Sequence, residues 1–127
     1  MAAYLLNLYA NNCNPKVRYY ASDMQLCVHT DASYLSVLKA RSRAAAYLYL
    51  STDDGALLPP DQESKLPARP NGAVHVMSTV MQQVLLYAKE AEVSATFYGC
   101  QDAVPLRNTL ANLGNVQGST LIITDNE

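Results

Sequence analysis

The chain has 127 residues, half of them hydrophobic and only 16% charged, which fits one globular domain and excludes the disordered class. No run approaches the ~20 apolar residues of a membrane span, and the N-terminus MAAYLLNLYANN lacks a charged n-region, so no membrane partner and an intracellular location are expected. The three cysteines, Cys13, Cys27 and Cys100, form no CxxC pair and read as buried reduced thiols, while the net charge of -2 excludes binding to nucleic acid by bulk electrostatics alone.

Residues 2 to 10 place Leu5, Leu6 and Tyr9 at helical spacing before the Asn11, Asn12 and Asn14-Pro15 breakers, which predicts a short lead-in helix. Met24, Leu26 and Val28 alternate with Gln25, Cys27 and His29, which predicts a first strand from Met24 to Asp31, and a polar turn is expected over 33 to 42. Ala44 to Leu50 reads as a second strand. The Pro- and Gly-rich stretch from 53 to 72 reads as an exposed loop, and Val74 to Val80 as a third strand. Ala88, Ala91, Ala95 and Gly99 then form a stripe of small residues on a helix from Ala88 to Cys100, able to sit close against a sheet. A second helix is expected from Asp102, with Pro105 in its first turn, Leu106, Leu110 and Leu113 as its apolar stripe, and Gly114 as its stop. Thr120 to Thr124 is a last strand. This order predicts an α/β fold whose mixed sheet has three antiparallel strands, a helical crossover and a parallel fourth strand.

Two predicted strands end alike, in Val28-His29-Thr30-Asp31 and Ile122-Ile123-Thr124-Asp125. If the crossover sets these strands side by side, the aspartates lie roughly 5 Å apart at one edge of the sheet. Two anions that close call for a cation, and hard carboxylate oxygens suit Mg²⁺ ions about 3.5 to 4 Å apart. Glu92 lies beside the small stripe and is expected to face the sheet. Glu90, about 200° around the helix from it, is expected to face solvent. Asp31, Glu92 and Asp125 are therefore the candidate metal ligands and catalytic residues. Basic residues gather between Lys16 and Arg43, and Lys39, Arg41 and Arg43 are the candidate phosphate contacts. His29 shares a strand face with Asp31 and reads as a packed or solvent-bridged histidine. Tyr47 and Tyr49 are expected to fill strand faces.

The stretches Ala21-Ser22-Asp23-Met24, His29-Thr30-Asp31-Ala32-Ser33-Tyr34-Leu35-Ser36 and Lys39-Ala40-Arg41-Ser42-Arg43-Ala44 resemble the first-strand region of the ribonuclease H domain in copia-type retrotransposon polyproteins. Ser78-Thr79-Val80, Lys89-Glu90-Ala91-Glu92, Asp102-Ala103-Val104-Pro105-Leu106-Arg107 and Thr124-Asp125-Asn126 resemble that family's later motifs, in the same order. Two places depart from the family: Ala45-Ala46 where a glycine pair is expected, and Gly118-Ser119-Thr120-Leu121 where a proline-containing turn is expected.

The resemblance implies a ribonuclease H-like fold. Residues 1–20 would be a connector helix after the reverse transcriptase, and 21–127 a ribonuclease H-like domain incomplete at its C-terminus. It implies metal-dependent hydrolysis of the RNA strand of RNA/DNA hybrids. Asp31, Glu92 and Asp125 would be the first three metal-binding carboxylates, the complete domain would hold two Mg²⁺ ions, and a fourth carboxylate would come from a later helix. Without that fourth ligand the chain alone is expected to cleave hybrid feebly or not at all, and a version extended by the later element to be active. The implied partners are the hybrid and the reverse transcriptase and integrase portions of the same polyprotein, in cytoplasm, nucleus or virus-like particles. Two readings compete with this enzyme: a truncated, non-catalytic retroelement remnant with weak nucleic-acid binding, and an unrelated small α/β domain with surface carboxylates.

Overall fold

A computed structural model of the chain describes residues 10, 11, 13, 14, 16–52 and 71–124. Of the expected lead-in helix, Ala10 is helical and residues 2–9 lie outside the described residues, while Asn11, expected to end it, is helical too; residues 53–70 of the expected loop and Asp125, Asn126 and Glu127 also lie outside the described residues. The described elements are β1 (Gln25–Val37), β2 (Arg41–Ser51), β3 (Ala73–Val80), α1 (Ala88–Asn112) and β4 (Leu121–Thr124). They build one four-stranded sheet of order β3-β2-β1-β4, in which β1 pairs antiparallel with β2, β2 antiparallel with β3, and β4 parallel with β1. With α1 packed on it, this is the α/β mixed sheet of the ribonuclease H-like type. Among the described residues no helix is long and apolar enough to cross a membrane.

Alternation along the strands selects the face that α1 covers. Leu26, Val28 and Thr30 of β1 and Ala44, Ala46 and Leu48 of β2 are buried against the helix residues Ala91, Ala95, Gly99, Ala103 and Leu110. Helix and sheet meet most closely at Gly99, where a Cβ would stand 2.6 Å from Thr30 Cγ2 and 3.3 Å from Val28 Cγ1. The residues beneath are themselves small at Ala44 and Ala46, so the helix backbone at Gly99 comes down onto the side chains of Thr30, Val28 and Ala46, and larger side chains such as Leu48 and Met81 pack around that point.

Three features depart from the expectations. β1 does not close at Asp31: it continues past it to Val37, and the expected polar turn shrinks to residues 38–40. The extension is held because Tyr34 is turned to the helix side and its hydroxyl donates to the Leu86 carbonyl at 2.8 Å, while the Ser42 hydroxyl accepts from Leu35 N–H at 3.1 Å. The tight turn rests on left-handed backbone at Lys39 (φ 65°) and Ala40 (φ 51°), residue types that do not announce such a conformation. Second, the two expected helices are one, running through Pro105. Proline removes a helical hydrogen bond and costs about 3 kcal/mol. Ala103 and Leu110 nevertheless carry on the buried line begun by Ala91, Ala95 and Gly99, and burying a leucine contributes about 1.5–3 kcal/mol. The exposed Pro105 ring meanwhile lies away from the sheet. Third, of the cysteines only Cys27 is buried; Cys13 is exposed and Cys100 intermediate, and all are free thiols.

The helix ends where expected. Gly114 (φ 90°) donates to Ala111 O at 3.0 Å and Asn115 N–H donates to Leu110 O at 2.9 Å, the paired bonds of a Schellman cap. Beyond it, two glutamines clasp the approach of β4 to β1. Gln117 Oε1 accepts from Leu26 N–H at 2.9 Å and its Nε2 donates to Met24 O at 2.8 Å, while Gln25 Oε1 accepts from Gly118 N–H at 3.0 Å and its Nε2 donates to Val116 O at 3.2 Å. The Gly118 segment, where a proline-containing turn is expected, thus uses a backbone N–H that proline lacks. Arg107 adds a bond to Thr120 Oγ1 and one to Gln117 O.

Two stability experiments check this packing. Gly99→Ala gains about 1 kcal/mol of helix propensity, but forcing its methyl onto Thr30 Cγ2 costs about 1–3 kcal/mol. Urea denaturation is expected to show a net loss, reversed when Thr30→Ser removes the opposing methyl. Pro105→Ala is expected to stabilise the fold by about 1–3 kcal/mol, because it restores a bond inside a continuous helix; at the start of a separate helix the same change would be close to neutral.

Candidate functional site

The parallel pair β1/β4 is in register at Cys27–Leu121, Val28–Ile122, His29–Ile123 and Thr30–Thr124. The two threonines that precede Asp31 and Asp125 in the sequence therefore stand level on neighbouring strands. Thr30 is fully buried, and its hydroxyl lies 3.3 Å from that of Thr96, which in turn donates to the Glu92 carbonyl at 3.0 Å. These bonds fasten the helix turn that carries Glu92 to the point on β1 from which Asp31 follows. Ala91 and Ala95 pack with Ala32 and Tyr34, so the same turn flanks β1 on both sides of Asp31.

Glu92 has the helix phase that its neighbours predict. It is partly buried, and its Oε2 is out of solvent. Glu90 is exposed and its Oε2 accepts from Leu86 N–H at 2.7 Å, closing the first turn of α1 and placing a negative charge at the positive end of the helix.

Asp31 is exposed and pairs across the ladder with Ala45. The pairing is regular from Gln25 to Ser33, so alternation turns Cys27, His29, Asp31 and Ser33 to the face away from α1. Glu92 and Asp31 thus come to the same stretch of β1 from opposite faces of the sheet. Asp125 lies outside the described residues. Among the described residues no group of three or more His, Cys, Asp or Glu side chains is gathered closely enough to hold a metal ion.

The basic candidates fall on Asp31's side. Ser42 and Ala44 are buried toward the helix, so Arg41 and Arg43 project from the outer face; Arg43 is opposite Ser33, and its Nη1 donates to Ser78 Oγ at 3.2 Å. Lys39 is exposed in the turn that joins β1 to β2. One end of the outer face therefore carries an aspartate, two arginines and a lysine, open to solvent.

Farther along that face Cys27 and Tyr49 form a buried pair, and Tyr47, whose ring centroid lies 5.7 Å from that of Tyr49, donates its hydroxyl to Asn71 O at 2.7 Å. Asn71 fixes the segment before β1 to the start of β3: its Oδ1 accepts from Tyr20 N–H at 2.9 Å and its Nδ2 donates to Leu50 O at 2.8 Å. The residues that reading along the chain misses are Thr96, Gln25, Gln117 and Asn71. Each acts through a partner distant in sequence, so no local pattern marks it. Thr96 alone carries a signal, since it follows Glu92 by one helical turn.

No family model matches the sequence, and no curated protein matches it.

Burial, with Cys27 and Tyr47 nearby, pushes the Tyr49 phenol from 10.0 to about 12. Its raised folded pKa means that the unfolded chain gives up this proton first, so stability is complete below pH 10 and falls as pH rises from there toward 12. Alkaline denaturation followed by circular dichroism is expected to show that decline, and Tyr49→Phe is expected to flatten it.

Proposed function

We propose that the chain is a ribonuclease H-type domain of a retrotransposon reverse transcriptase polyprotein, acting on the RNA strand of RNA/DNA hybrids with Mg²⁺ held by Asp31, Glu92 and Asp125. The observation that carries this reading is the level register of Thr30 and Thr124 across the parallel pair, because each threonine is followed in sequence by an aspartate of the proposed set. The Thr30–Thr96 contact adds the turn bearing Glu92 to the same point. Carboxylate oxygens are the hard donors that Mg²⁺ takes, and one that is shielded from water, as Glu92 Oε2 is, gains most from a cation.

Bound Mg²⁺ supplies activation of water and stabilisation of charge on the departing oxygen. The chain's own residues hold the substrate. Lys39, Arg41 and Arg43 take successive backbone phosphates along the side of the sheet where Asp31 is exposed, and hybrid is preferred to DNA by groove shape and 2′-hydroxyl contacts rather than by base sequence.

A second reading, a non-catalytic retroelement remnant with weak nucleic-acid binding, is favoured by one observation: strand alternation turns Asp31 to the face opposite α1, which carries Glu92. Incubation of a labelled RNA/DNA hybrid with Mg²⁺, and with chelator, separates the two. The enzyme reading expects slow cleavage that chelator abolishes and that Asp31→Asn or Glu92→Gln lowers by about a hundredfold or more. Binding without cleavage is the remnant's result. In either case replacing Lys39, Arg41 and Arg43 by alanine is expected to weaken hybrid binding, with the salt slope falling by about 1 for each phosphate that is no longer neutralised.

A further inference from the structure

We infer that Ser78 is a positioning residue for a backbone phosphate of the substrate: it holds the Arg43 guanidinium in place on the outer face of the sheet and so makes Arg43 the ordered phosphate contact among the three basic residues. The inference rests on the reading of the chain as a domain that binds RNA/DNA hybrid. Ser42, Ala44 and Ala46 of β2 are buried toward α1, so Arg43 and Ala45 project from the opposite face. Ala45 pairs with Asp31 of β1 on one side and with Ser78 of β3 on the other. One row across three strands therefore reads Asp31, Ala45, Ser78, its ends roughly 10 Å apart at two strand spacings. Ala45 has only a methyl group, so no long side chain of the row stands between the carboxylate and the hydroxyl.

Arg43 belongs to the next row, opposite Ser33 and Val80, and its side chain reaches diagonally across to β3, where Nη1 donates to Ser78 Oγ at 3.2 Å. The bond fixes the guanidinium without neutralising it, because a serine hydroxyl carries no charge and Arg43 has no ion-pair partner among the described residues. It uses one of five N–H donors, so the fork can still take a phosphate with two parallel bonds. A long exposed cation loses rotamer freedom when it binds, and one already held by a neighbour loses less. Lys39, in the turn, and Arg41 are exposed and have no anchor of this kind among the described residues. They supply charge, whereas Arg43 supplies charge and direction. A phosphate taken at the Ser78 end of the row is a near neighbour of the one at Asp31, and contacts of this sort set the register of a nucleic acid on a protein.

Binding of a labelled RNA/DNA hybrid to the full chain, measured over a range of salt concentrations, separates charge from geometry. Arg43→Ala is expected to lower the affinity and to reduce the salt slope by about 1. Ser78→Ala removes no charge, so the slope is expected to stay as it is while the affinity at fixed salt falls by about fivefold; Ser78→Thr, which keeps the hydroxyl, should bind as the parent does. Arg43→Lys keeps the charge and loses the fork, so it should resemble Ser78→Ala, and the two changes together should cost no more than either alone. Both side chains are exposed, and circular dichroism checks that each variant is folded. If no hybrid binds, or if Arg43→Ala leaves binding unchanged, the reading of the basic residues as phosphate contacts fails and the inference goes with it. If Arg43→Ala weakens binding while Ser78→Ala does not, or if Ser78→Ala and Arg43→Lys add, the inference alone is overturned.

Discussion

The fold depends on the absence of a side chain at one point. Gly99 brings the α1 backbone onto Thr30 and Val28 at a distance that even a methyl group would violate. That approach explains why the surrounding positions are small, why Ala91, Ala95 and Ala103 continue the line, and why Ala44 and Ala46 lie beneath it. It also sets what two hydroxyls can do: only with the backbones this close do Thr30 and Thr96 reach each other, and through them the turn carrying Glu92 is tied to β1. In a core of larger residues Glu92 would ride farther from the strand and its Oε2 would lie in water.

Reading along the chain recovers what periodicity governs. The strands and the difference between Glu90 and Glu92 follow from periods of two and 3.6, which act within a few residues, and the parallel fourth strand follows from the helical crossover that precedes it. What escapes it is set by contacts made across the chain. Pro105 reads as a boundary because its local effect is unfavourable, yet Ala103 and Leu110 are buried by the sheet on either side of it and the helix persists. Asp31 reads as a strand end because polar residues follow it, yet Tyr34 and Ser42 extend the hairpin, and the left-handed residues of its turn are a lysine and an alanine.

The candidate site was legible in its parts and less so in its arrangement. Residue types and spacing single out Asp31 and Glu92, and the register of Thr30 with Thr124 sets the sequence neighbours of both aspartates level. Which face each side chain takes depends on strand parity along the regular part of the ladder, Gln25 to Ser33, and on the burial of Ser42 and Ala44, and together these put Asp31 with Arg41 and Arg43 rather than with the helix. A substrate lying along that face would meet the positive charges first, since Arg41, Arg43 and Lys39 stand beside the hairpin with no acidic partner among their described bonds.

The glutamine clasp between Gln25 and Gln117 bears on the order of assembly. β1 and β2 are joined by a turn of three residues, whereas the clasp unites positions about ninety apart in sequence. Local pairing loses little chain entropy on closing, and distant pairing recovers its cost only after the intervening elements are in place. The hairpin is therefore expected to form before α1 docks, and β4, four residues held along one edge, to join last. The same logic makes β4 the first strand to leave. Its departure opens the edge of β1 beside Thr30 without disturbing the helix contact at Gly99, so the strand that carries Asp31 lies along the most readily opened edge of the sheet.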